Sequence, residues 1–224
     1  MAGGCERHAL TSQATNPDCI ILTKIDSIDK EAEISENQMM EIIRKIYFFL
    51  LDTLQTILLV AAFFLIIYLL IMRPYEVKGN SMHPYLKNKE FVLTNLIIKR
   101  ISDFKRGDVV VFNAPTDPDK DFIKRIIGVP GDSVMVQNGK VYVNGKIIDE
   151  KEYLAPSVQT STGAFLHESE AVTVQQGNYF VMGDNRPESS DSREWGFVPR
   201  EKIIGKSFFV YWPVSEAMLI RNPY

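Results

Sequence analysis

The chain has 224 residues, 46% hydrophobic and 24% charged, with a formal net charge of −3; this make-up is that of a folded domain with appendages and excludes wholesale disorder. From Arg73 onward twenty Lys and Arg stand against nineteen Asp and Glu, so the basic surplus that phosphate binding requires is missing and nucleic acid is excluded as a partner. The only cysteines, Cys5 and Cys19, fall in the polar N-terminal region, which leaves the rest without a disulfide framework or a Cys-rich zinc site and fits an oxidising compartment.

Residues 1–45 carry scattered polar side chains without a sustained period, apart from an apolar patch at 19–22, and read as a polar, mobile tail with 41–45 leading into a helix. Residues 46–72 read as a transmembrane helix: polar residues occur only near the start, at Asp52, Thr53, Gln55 and Thr56, and 57–72 is uninterrupted. About 20 residues suffice to cross the hydrocarbon layer. A cleaved signal sequence would lie nearer the N-terminus, carry a shorter apolar run and exit through a small-x-small site. Asp52 then belongs near an interface, or faces a partner or a water-filled site, because a charge at mid-bilayer is costly. Arg44 and Lys45 before the run balance Arg73 and Lys78 after it, so flanking charge barely orients the span.

Residues 73–224 change character to short apolar runs punctuated by Gly, Asn, Asp and Pro. Strands are expected at 90–98, 108–113, 122–127, 134–137, 140–143, 179–182 and 203–212. Asn138-Gly139 and Asn144-Gly145 are two-residue hairpin turns that need positive φ at both positions, and together they predict a three-stranded meander. No helix-period stretch follows the span, which predicts a mainly β domain. Segment 155–163, rich in Ser and Thr and carrying Pro156, reads as a loop free to move.

Two stretches carry chemistry. In Val77-Lys78-Gly79-Asn80-Ser81-Met82-His83-Pro84, just after the span, a serine stands between a glycine turn and a proline, and Ser81 is the candidate nucleophile. His83 is too close along the chain to aim well at the Ser81 hydroxyl, so the base is to be sought downstream. In Asp121-Phe122-Ile123-Lys124-Arg125-Ile126-Ile127, strand alternation puts Lys124 between Phe122 and Ile126 on one face, with Ile123, Arg125 and Ile127 on the other. Burial there would lower the lysine pKa and free a lone pair for a serine proton. Taken by itself the segment reads more readily as a strand with solvent-facing charges. His8, His83 and His167 show no ligand-like spacing, and neither metal nor cofactor is expected.

The order of four boxes decides between these readings. Ser81-Met82-His83-Pro84, Gly107-Asp108-Val109-Val110-Val111-Phe112, Lys124-Arg125-Ile126-Ile127-Gly128-Val129-Pro130-Gly131-Asp132 and Gly183-Asp184-Asn185-Arg186-Pro187-Glu188-Ser189-Ser190-Asp191-Ser192-Arg193 follow a membrane span in that sequence. The chain resembles the type I signal peptidases, membrane-bound Ser/Lys endopeptidases that remove signal peptides from exported preproteins. The resemblance implies the signal-peptidase and repressor-autoprotease β-fold, Ser81 as nucleophile, Lys124 as general base, and Ser189 as the hydroxyl that orients the lysine. It implies further that Asp191 and Arg193 form a supporting ion pair, that Gly183, Asp184 and Asn185 form a tight loop under the site, and that Tyr75, Val77, Met82, Leu86 and Ile123 line pockets for small side chains. It also implies an N-terminus in the cytoplasm, a catalytic domain outside the cell membrane, and signal peptides and membrane lipid as partners. Two positions depart from the pattern: Gly79 stands where some members carry a serine hydroxyl for the oxyanion, and Tyr85 follows Pro84 where threonine is usual. Exposed aromatics among Phe208, Phe209, Tyr211 and Trp212 are candidates for contact with lipid, core burial being the alternative. The rivals are a self-cleaving Ser/Lys repressor, which would need a DNA-reading domain in place of the span, and a non-catalytic tethered β-module that binds peptides by strand addition.

Overall fold

The computed structural model describes residues 17–117 and 119–224; Cys5 and His8, and the tail up to residue 16, lie outside them. The chain divides into two compact units, residues 1–62 and 63–224. A single helix, α1 (Pro17–Leu70), spans 54 residues. It includes residues 17–40, which composition marks as tail, and 41–45, where a lead into the helix is expected. From Pro17, tolerated in a first helical turn, to Leu70 no glycine or further proline interrupts it. Its stretch Ser35–Leu70 is long and apolar enough to cross a membrane, with side chains such as Phe49 and Leu59 exposed. Thr53 and Thr56 donate their hydroxyls to the carbonyls of Phe49 and Asp52 at 2.8 and 2.9 Å, which satisfies their polarity inside the helix. The helix ends at Leu70, two residues short of the expected limit, and Met72 already belongs to a strand. Pro74 explains the stop, since it cannot continue a helix and drives Arg73 into an extended conformation.

The second unit is antiparallel β. Its strands are β1 (Met72–Glu76), β2 (Phe91–Asn95), β3 (Val109–Asn113), β4 (Asp121–Gly128), β5 (Ser133–Gln137), β6 (Lys140–Val143), β7 (Lys146–Ile147), β8 (Ala171–Thr173), β9 (Asn178–Met182), β10 (Val198–Pro199), β11 (Ile203–Trp212) and β12 (Met218–Leu219). One sheet runs β1-β2-β11-β3-β4-β9-β10 with β12 on β11, and a second runs β7-β6-β5-β8. The expected meander is β5-β6-β7, with Asn138, Gly139, Asn144 and Gly145 all at positive φ. The strands that the pattern missed are short or polar. β1 holds Pro74 without penalty because it lies at a sheet edge, where one side of the strand needs no N–H.

Strands β4 and β9 are buried on both faces. Ile126 and Val181 enter one apolar core with Val110 and Phe112, whereas Ile127, Phe180 and Met182 enter another with Val134 and Leu166. Two-sided burial explains their nearly continuous hydrophobic sequences. A third core gathers Val77, Met82, Leu86, Val92, Val109 and Val210, and it anchors the loop that bears Ser81. Met82 and Leu86 are wholly buried there, each contributing about 1.5–3 kcal/mol. Segment 155–163 is tied down, not free: the Thr160 N–H donates to the Gly139 carbonyl at 2.9 Å, and Arg193 Nη1 donates to the Ser161 carbonyl at 2.9 Å.

Candidate active site

Ser81 sits in a turn built by its own neighbours. Gly79 adopts φ +88°, a conformation that side chains disfavour, and its N–H donates to Asn88 Oδ1 at 3.0 Å. The His83 and Leu86 N–H groups then donate to the Asn80 and Met82 carbonyls at 3.0 and 2.8 Å, closing the turn over the buried Met82 and Leu86. The His83 side chain is exposed.

Lys124, on β4, reaches this turn from the sheet. Its Nζ is hydrogen-bonded to Ser81 Oγ at 2.5 Å, it is 4% exposed, and the Phe122 ring lies 5.5 Å from the amine. Burial lowers its pKa to about 8, against the opposing pull of the Asp191 and Asp184 carboxylates and with a smaller lowering contribution from Arg193. A substantial fraction of this amine is therefore neutral near pH 8. An ammonium donates to the serine hydroxyl; after deprotonation its lone pair can accept the hydroxyl proton at the same place.

The last box holds both partners in position. Asn185 donates its N–H to the Ser81 carbonyl and its Nδ2 to the Asn80 carbonyl, each at 3.0 Å. Gly183 is required by close approach, because a Cβ there would overlap Ser189 Oγ and the Ser81 carbonyl. Its N–H donates to Asp191 Oδ2 at 3.0 Å, and Asp191 in turn binds Arg193 Nε at 2.8 Å with both residues buried. Asp184 accepts from Arg125 Nε and Nη2 at 2.9 and 2.7 Å. Burial alone would lower the Arg125 pKa, but the charge and hydrogen bonds of Asp184 outweigh it and keep the guanidinium charged. Ser189 is buried, but its Oγ has no hydrogen-bond partner among the described residues, so the bond expected between it and Lys124 is not formed.

A cleft of about 230 Å³ opens beside the Ser81–Lys124 pair, walled by residues of β1 and β4. Of the expected lining residues, Tyr75, Val77 and Ile123 are in its wall; Met82 and Leu86 are not, being packed into the core. Lys78, Val92, Val111 and Ser190 also line it. β9 pairs with β4 from Arg125 onward, and no described strand covers that side of residues 121–124. Sequence patterning missed three further groups: Arg125; Arg186, whose guanidinium pairs with Glu150; and Thr160, which accepts from Arg186 Nη1 at 2.5 Å. The one available signal was Arg125 itself, a charge on the otherwise apolar face of β4 opposite Lys124. Of the aromatics suggested for lipid contact, Trp212 is exposed and Phe208, Phe209 and Tyr211 are half-buried.

The family described as "Signal peptidase, peptidase S26" matches residues 50–212. Signal peptidase I S of Bacillus subtilis is 40% identical over 171 residues, covering 75% of this chain and 91% of that protein. Signal peptidase IB of Staphylococcus aureus is 37% identical over 186 residues, covering 77% of this chain and 96% of its own. Among solved structures, a signal peptidase I from Enterococcus faecalis V583 is 32% identical and covers 47% of this chain and 97% of that one, with a TM-score of 0.40.

Proposed function

The chain belongs to the signal peptidase family, peptidase S26, a family of serine endopeptidases, and from that premise we propose that it removes signal peptides with Ser81 as nucleophile and Lys124 as general base. The observation that carries this reading is the 2.5 Å contact between a hydroxyl and an amine that burial holds close to neutrality. Neutral Lys124 takes the Ser81 proton as Oγ attacks the carbonyl carbon of the residue before the cut. The Ser81 N–H donates to the resulting oxyanion. The Lys124 ammonium then gives its proton to the departing amine as the C–N bond breaks, leaving an ester on Ser81. Lys124 next deprotonates a water, which hydrolyses the ester and restores the serine.

The supporting residues have distinct parts in this proposal. Gly183, Asp184 and Asn185 hold the Ser81 turn, and the Asp191–Arg193 pair braces their loop. Ser189 would orient Lys124 by turning its buried hydroxyl, unpartnered in this structure, toward the amine. The preprotein lies extended in the cleft beside β4, where Tyr75, Val77 and Ile123 leave room for small side chains at the first and third positions before the cut. Ser35–Leu70 serves as the membrane anchor, with the N-terminus cytoplasmic and the catalytic unit outside.

The test uses the full chain in detergent with a preprotein carrying an Ala-x-Ala site, beside Ser81→Ala and Lys124→Ala. Cleavage by wild type and loss of at least about a thousandfold in each variant are expected. Persistent cutting by Ser81→Ala would remove the mechanism, and binding without cutting by wild type would leave a peptide-binding module.

A further inference from the structure

Lys124 is followed on β4 by Arg125, whose fully buried guanidinium is enclosed on every side. In its plane it donates to Asp184 and, through Nη1 at 3.0 Å, to the Gly107 carbonyl. The cation also lies over the rings of Tyr85 and Tyr153, with centroids 4.6 and 4.1 Å from Cζ. One cation thus joins the strand of Lys124 to the loop of Asn185, which grips Ser81. Whatever fixes Arg125 also fixes the distance between the two reacting groups.

Three of these supports are held by one short segment, residues 221–224. The Arg221 N–H donates to Tyr85 Oη at 3.0 Å. Asn222 Nδ2 donates to the Arg106 carbonyl and to Asp108 Oδ1, each at 2.8 Å, bracketing Gly107. Tyr224 Oη is hydrogen-bonded to Tyr153 Oη at 2.9 Å, and Tyr153 also donates to Glu150 at 3.0 Å. Burial, reinforced by the Glu150 carboxylate, raises the pKa of the Tyr153 phenol; burial raises that of Tyr224 as well. Gly107 has φ +88°, and a Cβ on it would run into Asn222, Pro223 and Tyr224, so the segment lies flush on the turn whose carbonyl receives Arg125.

We propose that residues 221–224 are a clasp on the Arg125 cage, and that Asn222 and Tyr224 are positioning residues which, through Tyr153, Tyr85 and Gly107, set the placement and dryness of Lys124. This rests on the reading of Ser81 and Lys124 as the reacting pair. With the clasp open, Arg125 loses its stacking partners, β4 shifts against the Ser81 turn, and water reaches the amine. Lys124 then faces the same charged groups, Asp191, Asp184 and Arg193, but with less desolvation.

The full chain in detergent is assayed for preprotein cleavage as Tyr224→Ala, Tyr224→Phe and Asn222→Ala. Tyr224→Ala and Asn222→Ala are expected to lower kcat by about tenfold or more while KM stays within about twofold, because misplacement by ~1 Å costs catalysis more than binding. The pH limb that reports the base should move up by about one unit as the amine becomes better solvated. Tyr224→Phe, which keeps the ring and loses one hydrogen bond, should retain activity within about threefold of wild type. Folded Tyr224→Ala and Asn222→Ala variants with wild-type kcat and an unmoved limb would overturn the clasp, even if their thermal stability dropped. Should Tyr224→Ala not fold, Asn222→Ala decides by the same two readouts. Ser81→Ala and Lys124→Ala run alongside: if they remain inactive while the clasp variants match wild type, only the clasp fails, and if either still cleaves, the Ser/Lys reading fails instead.

Discussion

Lys124 and Arg125 are neighbours on β4 that leave the strand on opposite faces, and both end buried: one amine against the Ser81 hydroxyl, one guanidinium against the Asp184 carboxylate. The first is kept close to losing its proton and the second is kept charged. Two differences decide this: a guanidinium gives up its proton far less readily than an ammonium, and Arg125 has a bidentate carboxylate that Lys124 lacks.

Cleavage should follow the titration of Lys124. Because burial brings its pKa down to about 8, activity should rise with pH through that value and fall below it as the amine takes up a proton. Between pH 8 and pH 6 kcat/KM should drop by roughly fiftyfold, as the neutral fraction of the amine falls from about one half to about one hundredth. A profile flat across this range, measured with the detergent-solubilised chain, would contradict a lysine base.

Asn185→Ala removes the side-chain hydrogen bonds to the Asn80 carbonyl and to Glu188, and leaves the backbone N–H of residue 185 alone to hold the Ser81 carbonyl. The nucleophile then loses its fixed approach while the cleft wall is untouched. A fall in kcat of about ten- to a hundredfold with nearly constant KM is expected from steady-state kinetics.

Asp184→Ala would leave the Arg125 guanidinium buried without its carboxylate. Breaking such a pair from one side costs about 3–5 kcal/mol, which for a chain of this size corresponds to a fall in Tm of about ten degrees. Thermal denaturation of the purified variant measures it directly, and a change within a degree or two would mean that water or another group replaces the lost partner.

Ile123→Ala enlarges the cleft next to Lys124. Preproteins with valine or leucine in place of alanine immediately before the cut, or two residues earlier, should then gain on the alanine substrate by about tenfold in relative kcat/KM. Unchanged selectivity would move the size filter to another wall residue.

The candidate pair is legible only through the order of four boxes: the glycine turn marks Ser81, but strand alternation by itself leaves Lys124 reading more readily as a solvent-facing charge. The meander was legible from two Asn-Gly turns. Residues that act across the fold were not. Arg186, Glu150 and Thr160 meet only after loops at 150–163 and 183–193 pack together, and no spacing rule links them. Met82 and Leu86 are expected in the pockets from the family resemblance alone, yet the turn at 80–86 packs them into the core. The helix start at Pro17 was hidden by polarity, since exposed Glu, Lys and Gln form helix as readily as they form tail.

An inner strand with half of one edge left bare is ordinarily an invitation to sticking and fibre growth. Here the bare half, residues 121–124, lines a cleft of about 230 Å³. On the proposed function the occupant of that edge is an extended stretch of preprotein, so the recess would favour unfolded polypeptide over folded protein before any side chain is inspected.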